Sequence, residues 1–313
     1  MASFIRVTEV WVPSRDGSRL EFGTGSYGDL HGFHAESHQT VFGYGEGLPG
    51  QAWATRRPIV LKNLQNSYFK RGAAAADAGL TCGLALPIFA GDSLRAVVTF
   101  FCADDAEKVG AIEVWANDPA QSSAMEVQDG YYGNAEFFER NSKAIQFGKG
   151  EGLPGEVWER DRPIVVKEHY GSHRFLRKAE ALKIGRTTAF GMPCHGDRTR
   201  DWVMTFLSAL GTPIARRFEV WKAEHDGEHL IYEAGLCEVE GDLLETYGSL
   251  SLAREDGTIG KILLTGLPVI TTDFSHEPSL ISRSLAEAGL TTLVAIPVFS
   301  REARLTAVAA WYF

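Results

Sequence analysis

Cysteine is scarce, with four residues in 313 and no two of them close in sequence. That excludes a disulfide framework of the kind that holds small secreted domains, and the thiols suit a reducing, cytoplasmic setting. Long hydrophobic runs are missing too. No stretch reaches the ~18 uninterrupted apolar residues of a spanning helix, so no membrane span is expected. The opening MASFIRVTEVWVPSRDGS has no apolar run of signal-peptide type, because Arg6, Glu9 and Arg15 interrupt it. Basic charge is in deficit, 31 Lys and Arg against 40 Asp and Glu, for a net charge of −9. A field of that sign repels phosphate backbones and speaks against a nucleic-acid partner. What is present, 44% hydrophobic and 23% charged residues, describes a globular chain of two or three domains at roughly 100–200 residues each.

Internal repetition is plain. Segment 42–62 reads FGYGEGLPGQAWATRRPIVLK and segment 147–167 reads FGKGEGLPGEVWERDRPIVVK, 105 residues on. A diverged third copy, LAREDGTIGKILLTGLPVITT, lies a further 105 residues along. Gly47, Gly152 and Gly257 fall in register, as do Gly50, Gly155 and Gly260, and Pro58, Pro163 and Pro268. The opening strand recurs as Glu9-Val10-Trp11, Glu113-Val114-Trp115 and Glu219-Val220-Trp221. The period is too long for a solenoid unit, so each copy is a small domain: 1–105, 106–210 and 211–313.

One copy reads as β-β-α-β-α-β-β. IRVTEVWVP and RLEFGTGSY flank Asp16-Gly17 as a hairpin. HGFHAESHQT reads as a polar, solvated loop, and Leu-Pro-Gly opens a short helix through Gln51–Thr55. Alanine-rich helices follow, halted by Gly79, Gly185 and Gly289. The fold class is therefore α+β, a central antiparallel sheet with helices on one face in each of three domains. The closing strands are apolar on both sides: Val98 and Phe100 alternate with Val97 and Phe101, and Ala309 and Trp311 with Ala310 and Tyr312. Both faces are thus expected to be buried, through contact among the three copies in pseudo-threefold or stacked geometry.

The pattern G-E-G-L-P-G-x-x-W … R-P-I-V, the alanine-rich helix and the block G-L-x-x-x-x-A-L-P-I … A-V-V-T-F resemble the GAF domain. The resemblance covers nearly all of copies one and two, and copy three more weakly. It implies a regulatory module that holds a small molecule between its sheet and capping helices, or that serves in dimerisation. Carried onto this chain, the pocket falls at Tyr68, Phe69 and Arg71 in copy one, and at His173, Arg174, Phe175 and Arg177 in copy two. Copy three offers His276, Ser279 and Arg283. Facing strand positions are Cys82, Thr188 and Thr292. Aromatics beside an arginine suit a planar or anionic metabolite.

Other motifs read as structural. Gly45 to Gly50 and Gly150 to Gly155 match G-x-G-x-x-G, yet Pro49 and Pro154 remove an amide near where a phosphate would sit. Cys194-His195 resembles the chromophore-attaching pair of bilin-binding GAF domains, but repeat register sets it on a strand beyond a proline. Free-methionine-sulfoxide reductases share the fold and need a reactive thiolate with a resolving partner. Cys82 reads as a semi-buried strand thiol, and that enzyme is kept as a minor alternative. His34 and His38 are spaced i, i+4, but the other copies carry no histidine there, so no metal site is expected. Trp53 and Trp158 read as buried anchors of their short helices. The sequence names no cofactor. The reading is a cytoplasmic, non-enzymatic regulatory or sensory protein that signals through a protein partner or self-association. The alternative is an assembly protein without a ligand.

Overall fold

The computed structural model describes residues 4–103, 110–133, 136–166, 187–209 and 213–313. In the first repeat, β1 (Ile5–Pro13) and β2 (Arg19–Ser26) pair antiparallel across a turn in which Gly17 adopts φ +69°. There follow α1 (His31–Gln39), β3 (Phe42–Gly43), α2 (Gly47–Thr55), β4 (Ile59–Leu61), α3 (Gly72–Asp77), β5 (Cys82–Ala90) and β6 (Ser93–Cys102). The hydrogen-bonded order is β3-β2-β1-β6-β5-β4.

The second repeat comprises β7 (Gly110–Asn117), β8 (Met125–Tyr131), α4 (Glu136–Ala144), β9 (Gln146–Phe147), α5 (Gly152–Arg160), β10 (Ile164–Val166), β11 (Thr187–Cys194) and β12 (Trp202–Ala209). The third runs β13 (Arg217–Ala223), β14 (His229–Cys237), β15 (Gly241–Asp242), α6 (Leu244–Tyr247), β16 (Ser251–Ala253), α7 (Gly257–Gly260), α8 (Ile262–Thr265), β17 (Val269–Thr271), α9 (Ser279–Glu287), β18 (Leu293–Phe299) and β19 (Leu305–Tyr312). Their orders, β10-β11-β12-β7-β8-β9 and β15-β14-β13-β19-β18-β17, repeat the topology of the first. The three sheets are antiparallel and the class is α+β.

One local expectation changes. Residues 31–39 form helix α1 and not a solvated loop, because Phe33 and Ser37, four apart, give it one buried face. Helix α2 begins at Gly47, so Leu48-Pro49-Gly50 lies in its first turn as expected. The glycine pattern has a steric cause. Gly47, Gly152 and Gly257 take φ of +57°, +59° and +62° where each helix opens. A Cβ on Gly50, Gly155 or Gly260 would lie 2.2, 2.1 or 2.1 Å from the carbonyl oxygen of Gly43, Gly148 or Ala253. The loop amides are also spent internally, Gly45 N–H on the Gly50 carbonyl and Glu46 N–H on that of Gly43.

Each sheet buries two faces. On one, it packs against its own helices: Trp11, Leu48, Ala52, Val97 and Phe101 in the first repeat, for instance. On the other, all three sheets share a single core. Val98 and Phe100 meet Phe190, Met204 and Phe206 of the second repeat and Phe218, Ala309 and Trp311 of the third. The packing is cyclic: β4 lies against β8, β10 against β13 and β14, and β17 against β1 and β2. Equivalent edges therefore meet equivalent neighbours head to tail, and the ring closes after three. Contact among the copies, in pseudo-threefold form, is what covers the second apolar face.

Polar ties cross the ring. Lys62 Nζ lies 2.9 Å from Asp129 Oδ1, Arg162 lies 2.7 Å from Glu233, and Arg95 donates to the Thr265 carbonyl at 2.7 Å. Trp53 and Trp158 are half-buried and not core anchors. The inner positions of α2 are Leu48 and Ala52, so the indoles lie at the rim, Trp53 against Tyr44 and Trp158 donating to Asp201 at 2.9 Å.

Candidate functional site

Side chains two apart on a strand share a face, so the recurring Glu-x-Trp puts a carboxylate and an indole side by side beneath the helices of each repeat. Glu9, Glu113 and Glu219 are all fully buried, as are Trp11, Trp115 and Trp221. A bulge falls between Val10 and Trp11, Val114 and Trp115, and Val220 and Trp221. Opposite each glutamate stands a glycine: Gly25, Gly130 or Gly235. A tyrosine ring crosses that space, and a Cβ on Gly25 would lie 2.6 Å from the Tyr27 ring.

In the first repeat the carboxylate is held by an arginine inside an aromatic enclosure. Arg71 donates to Glu9 Oε1 at 2.6 Å and to Oε2 at 2.8 Å, a bidentate pair with both side chains buried. Trp11 Nε1, Tyr27 Oη, Ser37 Oγ and Thr99 Oγ1 donate to the same carboxylate at 2.9, 2.9, 2.7 and 3.1 Å. The rings of Trp11, Phe33, Phe69 and Phe101 stand 4.6–5.4 Å from the guanidinium carbon. Burial alone would raise the Glu9 carboxyl, but the Arg71 charge and the converging donors hold it below its ordinary value. Arg71 Nε–H is buried with no acceptor among the described residues.

The other repeats vary this theme. Glu113 accepts from Trp115 Nε1, Ser142 Oγ and Thr205 Oγ1 at 3.1, 2.5 and 3.1 Å. Glu219 accepts from Trp221 Nε1 at 2.9 Å and Tyr312 Oη at 3.2 Å, but Arg217 only reaches it at 3.5 Å. Arg217 is drawn instead to Glu240, with Ser284 accepting a further bond at 2.8 Å. Burial therefore prevails, and the Glu219 carboxyl is pushed up to about 7, the Arg217 charge offsetting only part of the rise.

A carboxyl whose value is raised on folding stabilises the protein fully below its unfolded value, and that contribution is lost as pH rises through the folded value. Stability is therefore expected to fall between about pH 4.5 and 7 on account of Glu219. Glu219→Gln should flatten that slope, which urea midpoints at pH 5 and 7.5 would read. An unchanged slope in the variant would refute the assignment.

The structure unites some of the expected site residues and separates others. Phe69 and Arg71 lie in the enclosure, whereas Tyr68, 48% exposed, stands at its rim. Cys82 is not on this side. Strand alternation turns Gly83 and Ala85 to the helices and Cys82 and Leu84 to the shared core, where Cys82 faces Cys102 across β5–β6. Thr188 shares the orientation of Phe190 and Met192 toward that core by the same alternation. His173, Arg174, Phe175, Arg177 and Gly185 lie outside the described residues. His276, Ser279 and Arg283 are exposed, and Ser284 takes the inner position of α9. Cys194 ends β11 against the shared core, and burial pushes its thiol well up.

The residues that sequence reasoning passed over are Glu9, Ser37, Thr99, Glu113, Arg217 and Glu219. A signal existed: a charged residue recurred inside an otherwise apolar strand.

A family model described as GAF domain matches residues 6–128. No curated protein matches the chain. Among solved structures, the chain is similar to the A. aeolicus nlh2 GAF domain in an inactive state, at 21% identity over 33% of this chain and 60% of that one, with a TM-score of 0.26. It is also similar to free methionine-R-sulfoxide reductase from Neisseria meningitidis in complex with its substrate, at 14% identity over 31% of this chain and 52% of that one, TM-score 0.25. A Staphylococcus aureus NreA protein mutated in its nitrate binding site aligns at 17% identity over 32% and 74% of the two chains, TM-score 0.27. The chain thus spans 60% or less of the length of the first two structures. Among the described residues no helix is long and apolar enough to cross a membrane. The GAF domain match lies on residues 6–128, and two further sheets of the same strand order stand beside it.

Proposed function

We propose that the chain is a non-enzymatic regulatory protein built of three GAF-like modules, whose first repeat takes a small planar molecule and whose output passes through a partner protein or self-association. The GAF match supports a small-molecule-binding regulatory role. The observation that carries the reading is the Arg71 Nε–H, buried among aromatic rings without an acceptor among the described residues. An unsatisfied buried donor costs about 1–3 kcal/mol, and an acceptor on a ligand would relieve it. Glu9 already balances the arginine charge, so a neutral planar acceptor fits better than an anion. All four cysteines are buried, which supports the non-enzymatic reading over thiol chemistry of the sulfoxide-reductase kind.

The test is a thermal-shift screen of the full chain against nucleobases, other heteroaromatic amides and carboxylates. A binder should raise the melting temperature, because it stabilises the native state alone. Arg71→Lys keeps a cation beside Glu9 but lacks the Nε–H and the planar face, and should abolish the shift. A shift that survives this substitution refutes the site. The second reading, an assembly protein with no ligand, is supported by the apolar core that the three sheets share, and a panel without any binder would favour it.

A further inference from the structure

Helix α1 carries Ser37 onto Glu9, yet it is a weak helix by itself. It spans nine residues, includes Gly32, and has neither a side-chain cap nor an acidic residue in its first turn. Helices this short are marginal in water, so something beyond propensity must hold it. On the flank that leans against β2, the imidazoles of His34 and His38, one turn apart, have ring centroids 4.6 Å apart. His34 leans on the Tyr27 ring at 4.4 Å and His38 on the Phe22 ring at 4.4 Å. Both imidazoles are therefore braced from β2 and its continuation, and neither ring makes a hydrogen bond or ion pair among the described residues.

We propose that His34 and His38 form a two-imidazole site for a borderline divalent transition-metal ion of the zinc class, and that the bound ion clips α1 onto the Glu9 network. Zinc–imidazole bonds are about 2.0–2.1 Å, which puts the metal roughly 3.2 Å from each ring centre. Two rings so placed and 4.6 Å apart would subtend about 90° at the metal, roughly 20° inside the tetrahedral angle zinc prefers, a gap that small side-chain rotations close. Imidazole selects zinc, copper or nickel over magnesium and calcium, which want oxygen. Water would complete the shell, since no carboxylate joins the pair among the described residues. The clip spans one turn of the helix on the flank next to Phe33 and Ser37, about 100° round the axis, so it strengthens α1 while leaving the buried pair in place.

The experiment uses the full chain and Zn2+ alone. Saturating Zn2+ should raise the melting temperature and slow amide exchange in residues 31–39 several-fold, with one ion bound per chain by calorimetry. Mg2+ should do neither. His38 is exposed, so His38→Gln is expected to fold normally by circular dichroism and to lose both responses. His34→Gln should behave likewise. The one group of three metal-binding side chains found among the described residues, exposed Glu224 and Asp226 with half-buried His229 in the β13–β14 turn, supplies the control. If the responses survive in His38→Gln, disappear only in His229→Ala, or never arise up to millimolar Zn2+, the proposal is overturned.

Discussion

Trp311→Ala is expected to be the most damaging substitution in the apolar core. The indole is fully buried and touches rings from every repeat: Phe100 stacked at 5.3 Å, Phe206 edge-on at 4.6 Å, Phe190 at 5.5 Å and Phe218 at 5.8 Å. Truncating a buried tryptophan costs about 3–5 kcal/mol, through lost transfer energy and the cavity left behind. The cavity here would open at the common centre, where no single repeat can close it. Chemical unfolding should therefore show a lower midpoint and a loss of cooperativity, since the repeats are coupled through this cluster. Trp311→Phe should recover a large part, because it also removes an indole N–H that is buried without a partner among the described residues. A Trp311→Ala midpoint within error of the parent would show that the sheets do not pack as described.

Arg71→Ala should cost a comparable amount by a different route. It leaves Glu9 buried with its counter-charge removed, and breaking a buried pair from one side costs about 3–5 kcal/mol. For a chain of 313 residues that corresponds to a fall in melting temperature of about 5–8 °C. Replacing both partners with apolar residues removes the stranded charge, so Glu9→Leu with Arg71→Met should be far milder than Arg71→Ala alone. Urea titrations of the two variants would decide. If the double variant is as unstable as the single one, the loss comes from the cavity and not from the stranded carboxylate.

The architecture was legible because its constraints are local and repeated. Gly47 and Gly50 recur at 105 residues as a backbone requirement, and strands apolar on both faces, such as Val97 to Phe101, announced a second covering layer. The site was legible only in part. Arg71 and Phe69 lie beneath the helices, but pairing needs a partner 62 residues away, and nothing in the spacing joins Glu9 to Arg71. Cys82 was set on the wrong face because one residue of strand register reverses a side chain. Helix α1 went unread because only two of its nine positions are buried, too few to impose a helical period on a polar stretch.

Closure of the ring within one polypeptide has a consequence for how such a molecule can change. In an assembly of three identical subunits, every substitution appears three times and each interface must tolerate it. Here the three junctions are written by separate residues: Lys62 with Asp129, Arg162 with Glu233, and the Thr24 hydroxyl with the Ile270 carbonyl. Each can drift alone. The same freedom extends to the buried carboxylates, so Glu9 can stay charged while Glu219 titrates near neutrality. Covalent linkage also fixes the stoichiometry at one of each module, whatever the protein concentration. A single gene product therefore holds three unlike modules in a constant ratio, where a homotrimer could only repeat one.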